Sequence, residues 1–73
     1  MPRYFFHFQD GKLMLDKEGV ELSGLGEARV EAVAASGAMI KDHGTKFWND
    51  AEWRMWVTDE SDATVCALRF SAE

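Results

Sequence analysis

The residues able to do chemistry are few and scattered. Among 73 residues there is one cysteine, Cys66, and two histidines, His7 and His43. A thiol beside an imidazole is a nucleophile with its base, and Cys66 with either histidine would be such a pair. The alternation of residues 64–70 instead turns Cys66 to the apolar side of a strand, where a small buried thiol fills space. Zinc needs several Cys, His or carboxylate ligands at close spacing, which two histidines and a cysteine on separate elements do not offer. Asp59, Glu60 and Asp62 are acidic neighbours without the twelve-residue ligand pattern of a calcium loop, and they read as a solvated turn. Asp16, Glu18 and Glu21 could be paired as acid and base, but nothing near them predicts a pocket. Gly24 and Gly26 lack the βαβ context and the basic partner of a phosphate loop. His7 reads as a surface residue, and His43 as one that meets free carbonyls at a helix end. No catalytic, cofactor-binding or metal-ligating residue is assigned. The chain is expected to be no enzyme and to hold no cofactor, and no small-molecule substrate is inferred.

Size and charge narrow the partners. The chain has room for one domain, residues 1–73. Hydrophobic residues make up 47% of it, with five Phe, three Trp and four Met, and the formal net charge is −5. Large aromatics bury on the order of 150–250 Å² each, enough for a core without staples. An acidic balance opposes non-specific attachment to nucleic acid or anionic membranes. One cysteine cannot form an intramolecular disulfide, which excludes a stapled secreted domain. Met1-Pro2-Arg3 runs into an aromatic segment with no apolar signal core, and no stretch approaches the ~20 apolar residues of a membrane span. A cytoplasmic setting without a membrane partner is expected.

The elements follow from periodicity. Residues 3–9 are rich in aromatics and predict a strand, Asp10-Gly11 a hairpin turn, and residues 13–15 a short return strand. Residues 16–19 read as polar turn. Ser23 is a candidate helix N-cap, and from Leu25 to about His43 small and apolar residues recur at helical spacing. Gly37 in that helix marks a close approach to the sheet, and Gly44 a C-terminal stop. Residues 45–51 read as a connection carrying Phe47 and Trp48. Residues 53–58 and 64–70 predict the third and fourth strands about an acidic turn. The result is an α+β fold of order ββαββ: a four-stranded antiparallel sheet, spatial order 2-1-3-4, with one helix packed on one face.

Alternation then assigns the faces. Tyr4, Phe6 and Phe8, with Trp53, Met55 and Val57 and with Cys66, Leu68 and Phe70, are expected beneath the helix. The opposite face would carry Phe5, His7 and Trp56 framed by Arg3, Arg54 and Arg69. An open sheet face with large aromatics reads as a contact surface, unless Phe47 or Trp48 folds over it.

The opening Met1-Pro2-Arg3-Tyr4-Phe5-Phe6-His7-Phe8, with Asp10-Gly11 after it, resembles the start of a family of short bacterial proteins. That family is common in rhizobia and their alphaproteobacterial relatives and is known only as a domain of unknown function. Asp16, Glu18-Gly19 and Glu21-Leu22 resemble its D-x-E-G-x-E-L segment. The Ala- and Glu-rich helix, Val57-Thr58-Asp59-Glu60 and Leu68-Arg69-Phe70 continue the resemblance over nearly the whole chain. One departure stands in the last hairpin, where Ser61-Asp62-Ala63 replaces the family's usual Gly. The resemblance implies this fold and a bacterial cytoplasmic setting, and brings no activity or catalytic residue.

Two functions follow from the aromatic face. One is a non-enzymatic interaction module that binds a protein partner, or a second copy of itself, through the open face or an edge strand. Its binding residues would be Arg3, Phe5, His7, Arg54, Trp56 and Arg69. The alternative uses the same residues to stack the bases of single-stranded nucleic acid, against which the net charge argues.

Overall fold

The aromatic run at the N-terminus forms β1, Arg3–Gln9, in the computed structural model, which describes residues 1–49 and 52–71. Aromatic and β-branched residues suit the half-buried surface of a pleated sheet. A three-residue turn, with Gly11 at φ 91°, returns the chain into β2, Leu13–Met14. After residues 15–19 comes β3, Val20–Glu21. Then follow α1, Leu25–Asp42, and α2, Gly44–Asn49. The long strands β4, Glu52–Thr58, and β5, Thr64–Ser71, complete the order.

The sheet is antiparallel, with strand order β2-β1-β4-β5. This is the expected 2-1-3-4 arrangement with one addition. β3 also pairs with β1, opposite Arg3 and Tyr4, while β2 pairs opposite Phe8 and Gln9. The same side of β1 is thus lined by two short strands. On its other side β1 pairs with β4 from Phe5↔Thr58 to Gln9↔Arg54. β4 pairs with β5 from Glu52↔Ser71 to Thr58↔Thr64, with an irregularity at Val57/Thr58.

Parity came out as alternation predicts. Tyr4, Phe8, Trp53, Met55 and Val57 are buried with Leu22 and with Ala28 and Ala32 of α1, and Phe6, Cys66, Leu68 and Phe70 pack partly buried against them. Small helix residues let α1 lie close to the sheet. Ser36, also buried, donates its hydroxyl to the Met55 sulfur at 3.1 Å.

The helix ends differ from expectation. Gly24, not Ser23, is the N-cap, in extended backbone and without a side-chain cap bond. Ser23 acts one residue earlier: its N–H and hydroxyl both donate to the Glu27 carboxylate. That is a displaced capping box, with Glu27 in the first turn reaching back. Gly44 does not stop the chain but begins α2, while His43 makes the break, its N–H donating to the Met39 carbonyl at 3.0 Å. The His43 ring lies 6.3 Å from the ring of Trp53. Gly37 makes no close approach to the sheet, because a Cβ placed there would meet nothing within 4 Å.

α2 replaces most of the expected 45–51 connection, and residues 50–51 lie outside the described residues. Phe47 meets Trp53 edge to face at 5.1 Å, beneath the helix side of the sheet. It therefore does not fold over the aromatic face, and Trp48 stays 69% exposed.

Candidate interaction surface

The face turned away from α1 divides into two halves. The first is closed by residues 16–21. Asp16 is held here because its own N–H donates to His7 Nδ1 at 3.1 Å while its carboxylate collects three backbone donors. Oδ2 accepts the Phe6 N–H at 3.1 Å. Oδ1 accepts the N–H groups of Glu18 and Gly19, each at 3.0 Å. Phe6 lies between the β1 residues that pair with β3 and those that pair with β2. The carboxylate thus fills the gap in the ladder with a side-chain acceptor. Burial pushes the Asp16 carboxyl upward, but the N–H groups of Gly19, Phe6 and Glu18 outweigh it and hold the group below its usual range.

His7 is not the surface residue expected. It is buried, directly opposite Trp56 in the β1–β4 ladder, with ring centroids 5.4 Å apart. Because a backbone N–H can only donate, Nδ1 is the acceptor and Nε2 carries the proton. Nε2 therefore donates to the hydroxyl of buried Thr58 at 2.9 Å. Every polar atom of the ring is satisfied within the fold. Cys66 packs on the opposite face of the sheet, so the thiol–imidazole pair with His7 does not form.

Phe5 is closed off by Gly19. That residue has φ 70°, and a Cβ there would stand 2.8 Å from the Phe5 ring and from the Tyr4 carbonyl oxygen. Only glycine adopts this backbone freely and also lets the ring so near. Arg3 is tied down as well, with Nη1 donating to the Glu18 carbonyl at 2.7 Å and Nη2 3.4 Å from a Glu21 oxygen. The expected three-ring stacking platform is thereby reduced to Trp56.

The second half is open. Gln9, Leu13, Arg54, Trp56, Thr64 and Ala67 line a shallow depression of about 390 Å³. Arg54 is exposed, and Arg69 stands 3.8 Å from Glu52. Of the six residues chosen from the sequence, Arg54, Trp56 and Arg69 thus keep an outward role, while Arg3, Phe5 and His7 hold the closed half together.

The open half runs up to β5, which composition alone did not single out. Among the described residues no strand pairs with the outer side of this eight-residue strand. From Cys66 onward its residues alternate between half-buried and exposed, and Ala67 also borders a groove of about 350 Å³ against α1, lined with Arg29, Val33, Cys66 and Leu68. Beside that groove α1 exposes Val30 and Val33, at 70% and 61%.

The acidic turn is structural. Oδ1 of Asp59 accepts the N–H groups of Ser61 and Ala63, and Asp62 takes φ 65°. Glu60 accepts the Arg3 N–H at 3.1 Å. Among the described residues no cluster of three or more His, Cys, Asp or Glu side chains could hold a metal ion. Nor is any helix among them long and apolar enough to cross a membrane.

No curated protein and no solved structure matches the chain. A family model, Domain of unknown function (DUF6894), matches residues 3–71. The match takes in every strand and both helices, including Asp16, Gly19 and the whole of β5. The chain belongs to the DUF6894 family.

Proposed function

We propose that this chain is a small non-enzymatic interaction module of the bacterial cytoplasm that docks a protein strand on β5. The observation that carries the reading is the contrast between the two sides of the sheet. One side of β1 is covered by β2, by β3 and by the Asp16 carboxylate between them. The other side ends in a strand of eight residues whose outer edge no other strand among the described residues pairs with. Folded proteins blunt their edge strands with short strands, bulges or covering loops, because unpaired N–H and C=O groups template pairing with another chain. A chain that blunts one edge so thoroughly and leaves the other long is suited to β-strand addition. Trp56, Arg54 and Arg69 flank that edge on the outer face and supply contacts for the incoming strand's side chains. Base stacking is poorly served by the same face, since the His7 ring is buried and Gly19 lies against the half-buried Phe5 ring.

The test is site-resolved photo-cross-linking in the cell of origin. A photoreactive residue at Thr64 or Ala67, both exposed on β5, is expected to give discrete adducts. The same residue at exposed Glu18, on the covered side, is expected to give none. Adducts absent from β5, or no more frequent there than at Glu18, remove the reading.

A further inference from the structure

We infer that the strand docking on β5 is β5 of a second copy. The two strands pair antiparallel about a two-fold axis normal to the sheet, and the two α1 helices pack side by side through Val30 and Val33. The inference rests on the reading of β5 as the docking edge and adds the identity of the occupant.

Geometry is the first argument. α1 packs over β4 and β5. Taken as midway between those two strands, its axis lies roughly half a strand spacing inside β5, and the two-fold would lie half a spacing outside it. Neighbouring strands stand about 4.8 Å apart. Strand pairing alone would set the two helix axes about 10 Å from each other, within the roughly 8–10 Å at which helices pack. A two-fold normal to the sheet keeps both helices on one side of the joined sheet.

What α1 presents at that contact suits it. Gly26, Val30, Val33 and Gly37 follow the three-to-four spacing of one helix face. The groove that joins Val33 to Cys66 and Leu68 places this face on the β5 side. Nothing lies within 4 Å of a Cβ built at Gly26 or Gly37. Small residues let helix backbones approach closely, and exposed valines that touch little within their own chain gain a partner.

The strand is also compatible with itself. A two-fold at Ala67 sets Cys66 opposite Leu68 and Val65 opposite Arg69, and one at Leu68 sets Cys66 opposite Phe70 and Ala67 opposite Arg69. Neither register opposes like charges, which would be destabilising. In either register seven residues of β5 pair and span about 24 Å, and the molecule is 17 Å thick in its thinnest direction. The face is therefore on the order of 400 Å² in projection for each copy, and the corrugation of a side-chain surface brings two such faces close to the roughly 1,000 Å² total that a specific interface needs.

The experiment takes the purified full chain through sedimentation equilibrium from micromolar to millimolar concentration. It adds isotope-filtered NOE spectra of a mixed labelled and unlabelled sample. A dimer is expected, with intermolecular NOEs between β5 backbones and between the methyls of Val30 and Val33. The double variant Val30→Glu/Val33→Glu, at two exposed positions, is expected to weaken association by about 100-fold or more through uncompensated buried charge, with an unchanged circular-dichroism spectrum. A chain that stays monomeric, a dimer with NOEs through Trp56, or an affinity indifferent to the double variant would each overturn the inference. If the chain is monomeric yet cross-links from β5 to a different protein, the second copy is wrong and the docking edge stands. If β5 gives no cross-links at all, both fall.

Discussion

Asp16 does with a carboxylate what a strand would do with a carbonyl. It takes the Phe6 N–H at the point where neither β2 nor β3 reaches, and it turns residues 18–19 with its other oxygen. Hydrogen bonds to a charged acceptor contribute more than neutral ones, and a donor left unpaired costs about 1–3 kcal/mol. Asp16→Ala is expected to destabilise the chain by about 2–3 kcal/mol in urea titrations, and the Phe6 amide should lose its protection from hydrogen exchange. The same residue sets an acid limit. Its carboxyl is held below the usual value in the fold. Its contribution is therefore complete above the ordinary carboxylate range and is lost as pH falls through the lower, folded value. Wild type and Asp16→Asn should differ most near neutrality, and their stabilities should converge as the solution is acidified. An aspartate in a polar turn announces nothing of this: the partners, Phe6 and His7, lie ten and nine residues away. The family-like segment of Asp16, Glu18 and Gly19 was visible as a motif, whereas its role needed the folded loop. Gly19→Ala combines a positive φ with a ring and a carbonyl at 2.8 Å, so a loss of about 2 kcal/mol or more is expected in the same titration. Asp62 is the converse case. It holds φ 65° within the hairpin segment, residues 61–63, where the family resemblance expects a glycine. Left-handed backbone costs a non-glycine residue up to about 1–2 kcal/mol, offset in part by the freedom glycine adds to the unfolded chain. Asp62→Gly is expected to raise stability by up to about 1 kcal/mol, read as a higher urea midpoint at unchanged slope.

At the level of elements, local patterns carried most of the architecture. Period-two alternation in residues 3–9 and 53–58 set both faces correctly, since a slip of one residue would turn every side chain over. Helical spacing from Leu25 onward found α1 to within a residue. What escaped was short or non-local. β3 is two residues long, too brief for any periodicity. His7 has the parity of an exposed residue and is buried because a later loop returns over it. Phe47 and Trp48 looked alike as bulky residues in a connection, yet α2 turns one onto Trp53 and the other into solvent. Substitution should separate them: Phe47→Ala is expected to cost about 2 kcal/mol by uncovering Trp53, and Trp48→Ala to stay within about 0.5 kcal/mol. The edge of β5 was only partly legible: the order 2-1-3-4 put the last strand at an edge, but not which of the two edges stays uncovered. Any terminal strand in a sheet has an outer side, and only the assembled order shows whether another element covers it.

For the molecule as a whole, the proportions depart from those of a compact sphere. The Cα radius of gyration is 12.4 Å and the extents are 38 × 19 × 17 Å. A compact domain of this length is expected near 11 Å, so the chain is elongated. Its accessible surface of 4929 Å² exceeds the roughly 4,600 Å² typical of a monomer of its mass. The asymmetry of the sheet decides what kind of assembly this surface permits. A protomer bare on both sides would recruit a neighbour at each end, and growth would have no terminus, as in a fibril. Here Asp16 and the two short strands beside it have closed one end already. Once the remaining end is taken by a like end, no acceptor is left over. Light scattering on concentrated wild-type solutions should thus find the series ending at two, and Asp16→Ala, which loosens the closed end, is the substitution expected to let larger species appear.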